Sequence, residues 1–224
     1  TKGDTIKLIS DFTTDATKTA VGDMLTVTKS VTLDLNGHTM TIPASLETSA
    51  NYAAFFISLH ATLTVKDRTG GGAIKSGDEN TLGVYLFNVG VGFFAGNLVI
   101  ESGDYFGGCS IVNVEKGTAT IKGGNFAVCP DKETHDSRYI LNCIDDAYKN
   151  GTAKIIVNGG TFTGFDPRNN LAEGKNTSFV AEGVGVDANS DGTFTAKSGM
   201  VAQIVDAEGK SVAAYATLAE AVTA

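Results

Sequence analysis

Ser110-Ile111-Val112-Asn113-Val114, followed by Ala119-Thr120-Ile121-Lys122-Gly123-Gly124-Asn125-Phe126, carries the architectural signal of this chain. Each run alternates apolar with polar residues, the period of a half-buried strand, and a glycine pair separates two strands in the second. Neither run stands alone. The first resembles Phe55-Phe56-Ile57-Ser58-Leu59, Tyr85-Leu86-Phe87-Asn88-Val89 and Tyr139-Ile140-Leu141-Asn142-Cys143. The second resembles Leu63-Thr64-Val65-Lys66-Asp67, Leu98-Val99-Ile100-Glu101-Ser102-Gly103-Asp104-Tyr105 and Ile155-Ile156-Val157-Asn158-Gly159-Gly160-Thr161-Phe162. The polar residue steps from Ser58 to Asn88, Asn113 and Asn142 at intervals of 30, 25 and 29.

A repeat of that length, made of short strands with variable insertions, predicts one turn of a parallel β-helix. Equivalent side chains of successive turns then stack at the strand spacing of about 4.8 Å. On this reading Ser58, Asn88, Asn113 and Asn142 form a ladder, each amide donating to the next. Gly103, Gly123, Gly124, Gly159 and Gly160 supply positive φ at the corners. Insertions collect in corner loops, Asp131 to Arg138 and Asp145 to Gly151, the natural place for contacts.

Beyond Phe165-Asp166-Pro167 the pattern changes. Residues 168–178 read as a polar loop leaving the solenoid. The apolar runs 179–186 and 193–197 flank a turn and predict a hairpin, and Val201 to Val205 predicts a further strand turned by Glu208-Gly209-Lys210. The good helical signal comes last, at Tyr215 to Val222. Thr217 and Glu220 have the spacing of a capping box, and Leu218, Ala221 and Val222 share a face.

Composition narrows the classes. The 224 residues are 42% hydrophobic and 19% charged, too apolar for a disordered chain and too broken by Gly and Thr for a membrane span. A net charge of −8 and a pI near 4.8 leave no basic stripe for nucleic acid. Trp is absent, which weakens the case for a sugar-stacking cleft. Cys109, Cys129 and Cys143 lack paired metal-ligand spacing and read as small buried hydrophobes, with one disulfide open to a secreted chain. A start at Thr1 without an initiator Met or signal peptide reads as a processed or excised product, and does not argue against export.

The Thr5-Ile6-Lys7-Leu8 strand, followed by Val31-Thr32-Leu33-Asp34-Leu35-Asn36-Gly37-His38-Thr39, resembles the start of right-handed parallel β-helix modules in large surface proteins of gut bacteria and in phage structural proteins. Gly159-Gly160-Thr161-Phe162 and the stretch from Asn169-Asn170 to Phe179-Val180-Ala181-Glu182-Gly183 are similar to the closing portion of those modules. The resemblance implies a non-catalytic architectural or adhesive module outside the cytoplasm. It also implies that a Tyr-x-Thr-Leu-x-Glu-Ala helix precedes the Gly-Asp-Thr-Ile-Lys-Leu strand. Here Tyr215 to Ala221 follows instead, so the helix of one copy is expected to cap the first turn of the next, against the alternative of an arbitrary domain cut.

The expected architecture is therefore an all-β, right-handed, single-stranded parallel β-helix over residues 1–167. A loop and hairpin region spans 168–210 and a capping helix 211–224. Expected partners are other copies or neighbouring modules and a cell-surface glycan, without nucleic acid, membrane insertion or a cofactor. The runner-up is a polysaccharide lyase or depolymerase, or a glycan-binding module using the corner loops. Its weak residues are Asp131, Arg138, Asp145 and Asp146, with Asp67, Arg68 and Asp104 on other turns. Glycoside hydrolysis needs two convergent carboxyls, and neighbouring residues of a strand point apart. His38, His60 and His135 read as surface or turn residues. Asp187-Ala188-Asn189-Ser190-Asp191-Gly192 matches the opening of an EF-hand loop, but Ser198 stands where the bidentate Glu belongs. We read it as a hairpin turn, with Asp187, Asn189 and Asp191 the weak calcium alternative. Gly70-Gly71-Gly72 lacks the Gly-Lys-Ser/Thr of a phosphate loop and reads as a corner.

Overall fold

The computed structural model describes residues 3–14, 25–42, 53–76, 85–107, 110–128, 139–170, 173–174, 177–207, 209 and 211–224. Strands come in triplets. The first triplet is β1 (Thr5–Lys7), β2 (Phe12–Thr13) and β3 (Leu25–Val27), and the second is β4 (Val31–Asp34), β5 (Thr39–Ile42) and β6 (Ala53–Ile57). Then come β7 (Thr62–Lys66), β8 (Ala73–Ser76) and β9 (Tyr85–Val89), and β10 (Gly96–Ile100), β11 (Asp104–Gly107) and β12 (Val112–Val114). The next is β13 (Gly117–Ile121), β14 (Asn125–Val128) and β15 (Leu141–Cys143). After a short helix, α1 (Asp145–Lys149), follow β16 (Ala153–Val157) and β17 (Gly160–Thr163).

Each strand pairs in parallel with the strand three further along the chain. This builds one sheet ordered β1-β4-β7-β10-β13-β16, a second through β2-β5-β8-β11-β14-β17, and a third through β3-β6-β9-β12-β15. The molecule is thus all-β and solenoid-like, built of stacked parallel sheets.

The register explains the sequence pattern. In the first sheet Ile6, Leu33, Val65, Ile100, Ile121 and Val157 fall in one column. Its burial deepens along the chain, from 53% exposure at Ile6 through 7% at Leu33 to 0% from Val65 onward. The second sheet contributes Met40, Ile74, Tyr105, Phe126 and Phe162. The Tyr105 and Phe126 rings stack at 5.1 Å, as do Phe126 and Phe162, in near-parallel planes.

In the third sheet Asn88, Asn113 and Asn142 stand in register. Asn113 and Asn142 each donate back to the previous rung. Asn113 Nδ2 reaches Asn88 Oδ1 at 2.6 Å, Asn142 Nδ2 reaches Asn113 Oδ1 at 2.8 Å, and Asn88 Nδ2 ends on Glu115 Oε1 at 2.7 Å. Ser58 does not belong to this column. The residue opposite Asn88 is Phe56, and Ser58 lies past the end of β6. The apolar blocks align two residues away from the expected match because Phe55, not Ile57, meets Phe87.

The corner glycines divide into two kinds. Gly103, Gly124 and Gly160 have φ of 113°, 102° and 108°. Gly123 and Gly159 do not need positive φ. A Cβ there would sit 2.5 Å from Glu101 O or 2.3 Å from Lys122 O, so they are held to glycine by the backbone of the preceding rung.

The end of the coil also departs from expectation. The hairpin β18 (Val184–Ala188) and β19 (Thr193–Ser198) does not stand apart. Strand β19 pairs antiparallel with β17 and extends the second sheet. Residues Ser211–Tyr215 are not part of the helix. They form β21, antiparallel to β20 (Ala202–Val205), because Ser211 and Ala214 are buried and Asp187 Oδ1 accepts the Ala214 N–H. The terminal helix α2 is confined to Leu218–Thr223.

Asn113→Ala leaves both Asn88 Oδ1 and Asn142 Nδ2 without their ladder partners, each orphan costing about 1–3 kcal/mol. Asn142→Ala orphans only Asn113 Oδ1. Urea unfolding is expected to show a roughly twofold larger loss of stability for Asn113→Ala. Equal losses would mean that the amides contribute independently of the ladder.

Candidate functional site

The two ends of the stack are built differently, and the contrast defines the candidate site. At the C-terminal end all three sheets are closed by the chain itself. Val180 forms a parallel bridge with Val157, and Phe179 O and Ala181 N bond to Val157 to extend the first sheet. Strand β19 covers the second. On the third, a side chain contributes: Glu173 Oε1 accepts the Cys143 N–H of β15 at 2.8 Å. Phe165, Phe179, Val186 and Ala196 fill the space beneath.

Arg168 fastens this closure. Its guanidinium makes a two-pronged pair with Asp166 at 2.8 and 2.9 Å, and Nη1 donates to Val186 O and Ser211 O. The group also lies over the Phe194 ring. One planar cation therefore joins the turn after β17, the hairpin and β21, the geometry that suits arginine and not lysine.

The N-terminal end is less enclosed among the described residues. Strands β1, β2 and β3 are the last of their sheets among the described residues. Ile6, Ile9, Phe12 and Leu25 are exposed there. A cavity of about 560 Å³ opens between them, walled by Ile6, Leu8, Phe12, Leu25, Val31 and Met40. Helix α2 carries a second exposed apolar surface. Thr217 and Glu220 complete its capping box, with Glu220 N donating to Thr217 Oγ1 and Thr217 N donating to Glu220 Oε2. The helix buries no residue, leaving Leu218 68% and Val222 78% exposed.

The residues considered for catalysis are scattered or already engaged. Asp145 and Asp146 open α1, not a loop, and Asp145 pairs with Lys149 one turn on. Asp67 wraps the Gly70-Gly71-Gly72 corner by accepting the N–H groups of Gly37 and Gly72. Burial raises its carboxyl, but these and the neighbouring N–H groups of Thr69 and Gly70 outweigh that and hold it below the usual range. Arg68 lies 3.5 Å from Asp34, His38 meets Asp11, and Asp104 accepts from Asn125. Asp131, Arg138, His135, Cys109 and Cys129 lie outside the described residues. Cys143 is buried, and that burial pushes its thiol far above the usual range.

The calcium motif is spent on its own turn. Asp187 pairs with Lys197 and the Ala214 N–H, Asn189 turns its amide onto Thr193 and Thr195, and Asp191 accepts from Thr193. Among the described residues no group of three or more His, Cys, Asp or Glu could hold a metal ion. Nor is any helix among them long and apolar enough to cross a membrane.

The sequence reading missed Arg168 and Glu173, whose partners lie far along the chain. It expected an apolar first turn in need of a cap, but did not single out Ile6, Phe12, Leu25 or Met40 as the residues lining the cavity there.

Glu173 gives the closure a pH dependence. Burial pushes its carboxyl up and Asp145 adds to the effect, while the Cys143 N–H, Lys149 and Asn170 oppose it. Its Oε2 is buried without a hydrogen-bond partner among the described residues. A carboxyl raised on folding stabilises below the ordinary glutamate value of 4.5 and loses that contribution as pH climbs through the raised value. Glu173→Gln keeps an acceptor for Cys143 and removes the charge. Its melting temperature is expected to exceed that of the parent by a margin that grows from pH 4.5 towards neutrality; a margin constant with pH would refute the assignment. No family model, curated protein or solved structure matches this chain.

Proposed function

We propose that this chain is a non-catalytic structural or adhesive module, a right-handed parallel β-helix acting outside the cytoplasm on a bacterial surface or phage particle, and that copies assemble head to tail. The observation that carries the reading is the asymmetry of the ends. A closed C-terminal end cannot simply continue the parallel ladder, because β19 runs antiparallel across it. What it offers instead is the β20–β21 hairpin with α2, whose Leu218 and Val222 face solvent. The N-terminal end offers, among the described residues, the edge strands β1, β2 and β3 and an apolar cavity. Such edges template association unless they are covered. Unlike surfaces at opposite ends of one chain make a heterologous contact, which propagates into rows and does not close as a two-fold dimer.

A scaffold role is also supported by the distribution of acid–base groups. Catalysis needs a converging set of perturbed titratable residues in one concavity. The apolar end cavity is lined by aliphatic and aromatic residues with Thr26, Thr28 and Lys29 as its polar members.

Sedimentation velocity tests the assembly. The unmodified chain is expected to grow in mass with concentration, and Leu218→Asp combined with Val222→Asp to remain a monomer with an unchanged melting temperature. A concentration-independent monomer for the unmodified chain would overturn head-to-tail stacking.

A further inference from the structure

The outer face of the second sheet carries a feature that the assembly reading does not use. Ile74, Tyr105 and Phe126 of that sheet point into the core, so their chain neighbours point out. One outward column runs Thr41, Lys75, Phe106 and Ala127 in register, with Thr163 beyond, paired to Thr193. The adjacent column runs Ala73, Asp104, Asn125 and Thr161. Phe106 is the large ring on this surface, and it is half-buried. Its neighbour Ala127 is too small to fill the next rung, so a depression of about 180 Å³ opens beside the ring. Lys75, Asp104, Phe106, Asn125, Ala127 and Thr163 surround it.

We infer that this depression is a saccharide subsite, in which a pyranose ring of a neutral, extended glycan lies against the Phe106 ring above Ala127. The site pairs one apolar face with a rim of mixed polarity. Asn125 and Thr163 donate and accept, Asp104 accepts, and Lys75 donates. All four are exposed. A pyranose matches that plan: its axial C–H groups present an apolar face, and its equatorial hydroxyls need both donors and acceptors around it.

Asn125 Nδ2 donates to Asp104 Oδ1 at 2.8 Å, which holds two rim groups in place before a ligand arrives. The supporting strands are interior members of a hydrogen-bonded sheet, so the subsite sits on a rigid floor. A net charge of −8 disfavours phosphorylated or uronic polymers. The volume is below the 300–1,000 Å³ or so of a pocket that engulfs a ligand, which fits a single ring of a chain running across open rungs. Affinity for one ring is then weak, and a multi-copy array would raise it by multivalency. The subsite itself does not depend on head-to-tail assembly.

The test is a two-dimensional NMR titration of the whole chain with cellohexaose, fully N-acetylated chitohexaose and hexagalacturonate. At least one of the two neutral probes is expected to shift the amides of Lys75, Phe106, Ala127 and Thr163. Phe106→Ala should weaken that binding at least tenfold with an unchanged melt, and Phe106→Trp should retain it. Silence with both neutral probes, binding of hexagalacturonate alone, shifts confined to the corner loops, or full affinity in Phe106→Ala would each overturn the proposal.

Discussion

Parallel hydrogen bonding between each strand and the strand three further along the chain is the constraint on which the rest depends. Once that register is set, side chains from distant parts of the sequence become neighbours across about 4.8 Å. Like residues then meet like residues. Amides line up with amides at Asn88, Asn113 and Asn142, and rings with rings at Tyr105, Phe126 and Phe162. The same closeness leaves no room for a side chain at Gly117, where a Cβ would come within 1.9 Å of Gly96 O. Repetition along the axis therefore both gains packing and forbids certain residues.

Much of this was legible because a stacked fold writes its contacts into the sequence as recurrence. The three asparagines occupy matching hydrophobic settings, and the Gly-Gly-Asn-Phe and Gly-Gly-Thr-Phe corners repeat a backbone requirement. Ser58 misled because its surroundings are apolar on every side. Phe55-Phe56-Ile57 can be slid by two residues against Leu86-Phe87-Asn88 without losing the alternation, and register is then decided by packing that no local pattern displays. The same limit applies at the C-terminal end. Strand β21 and helix α2 abut within a few residues, and a pattern reader extends the helix back through Tyr215. The burial of Ser211 and Ala214 against β18 decides otherwise.

The functional surfaces were harder to read for a related reason. Ile6 and Leu25 carry the same alternation as residues in the middle of the stack, although both are exposed. Carboxylates, by contrast, were easy to spot and carried little catalytic meaning. Asp67 and Asp191 each accept backbone N–H groups at a turn, a use for which short acidic residues are suited, and Asp187 on β18 accepts the Ala214 N–H of β21. Phe106 lies between these cases. Its position on the outward column follows from the strand period, but the hollow beside it depends on Ala127, which is separated from it by a full rung.

The Arg168 knot has a mechanical meaning. Tension applied at the C-terminus reaches β21, and Ser211 O hands it to the guanidinium and so to Asp166, the turn directly after β17. The load is thus shared between the β18–β19 hairpin, held through Val186 O and Asp187, and the last parallel strand of the stack. There it pulls against a row of backbone hydrogen bonds and not against a hinge.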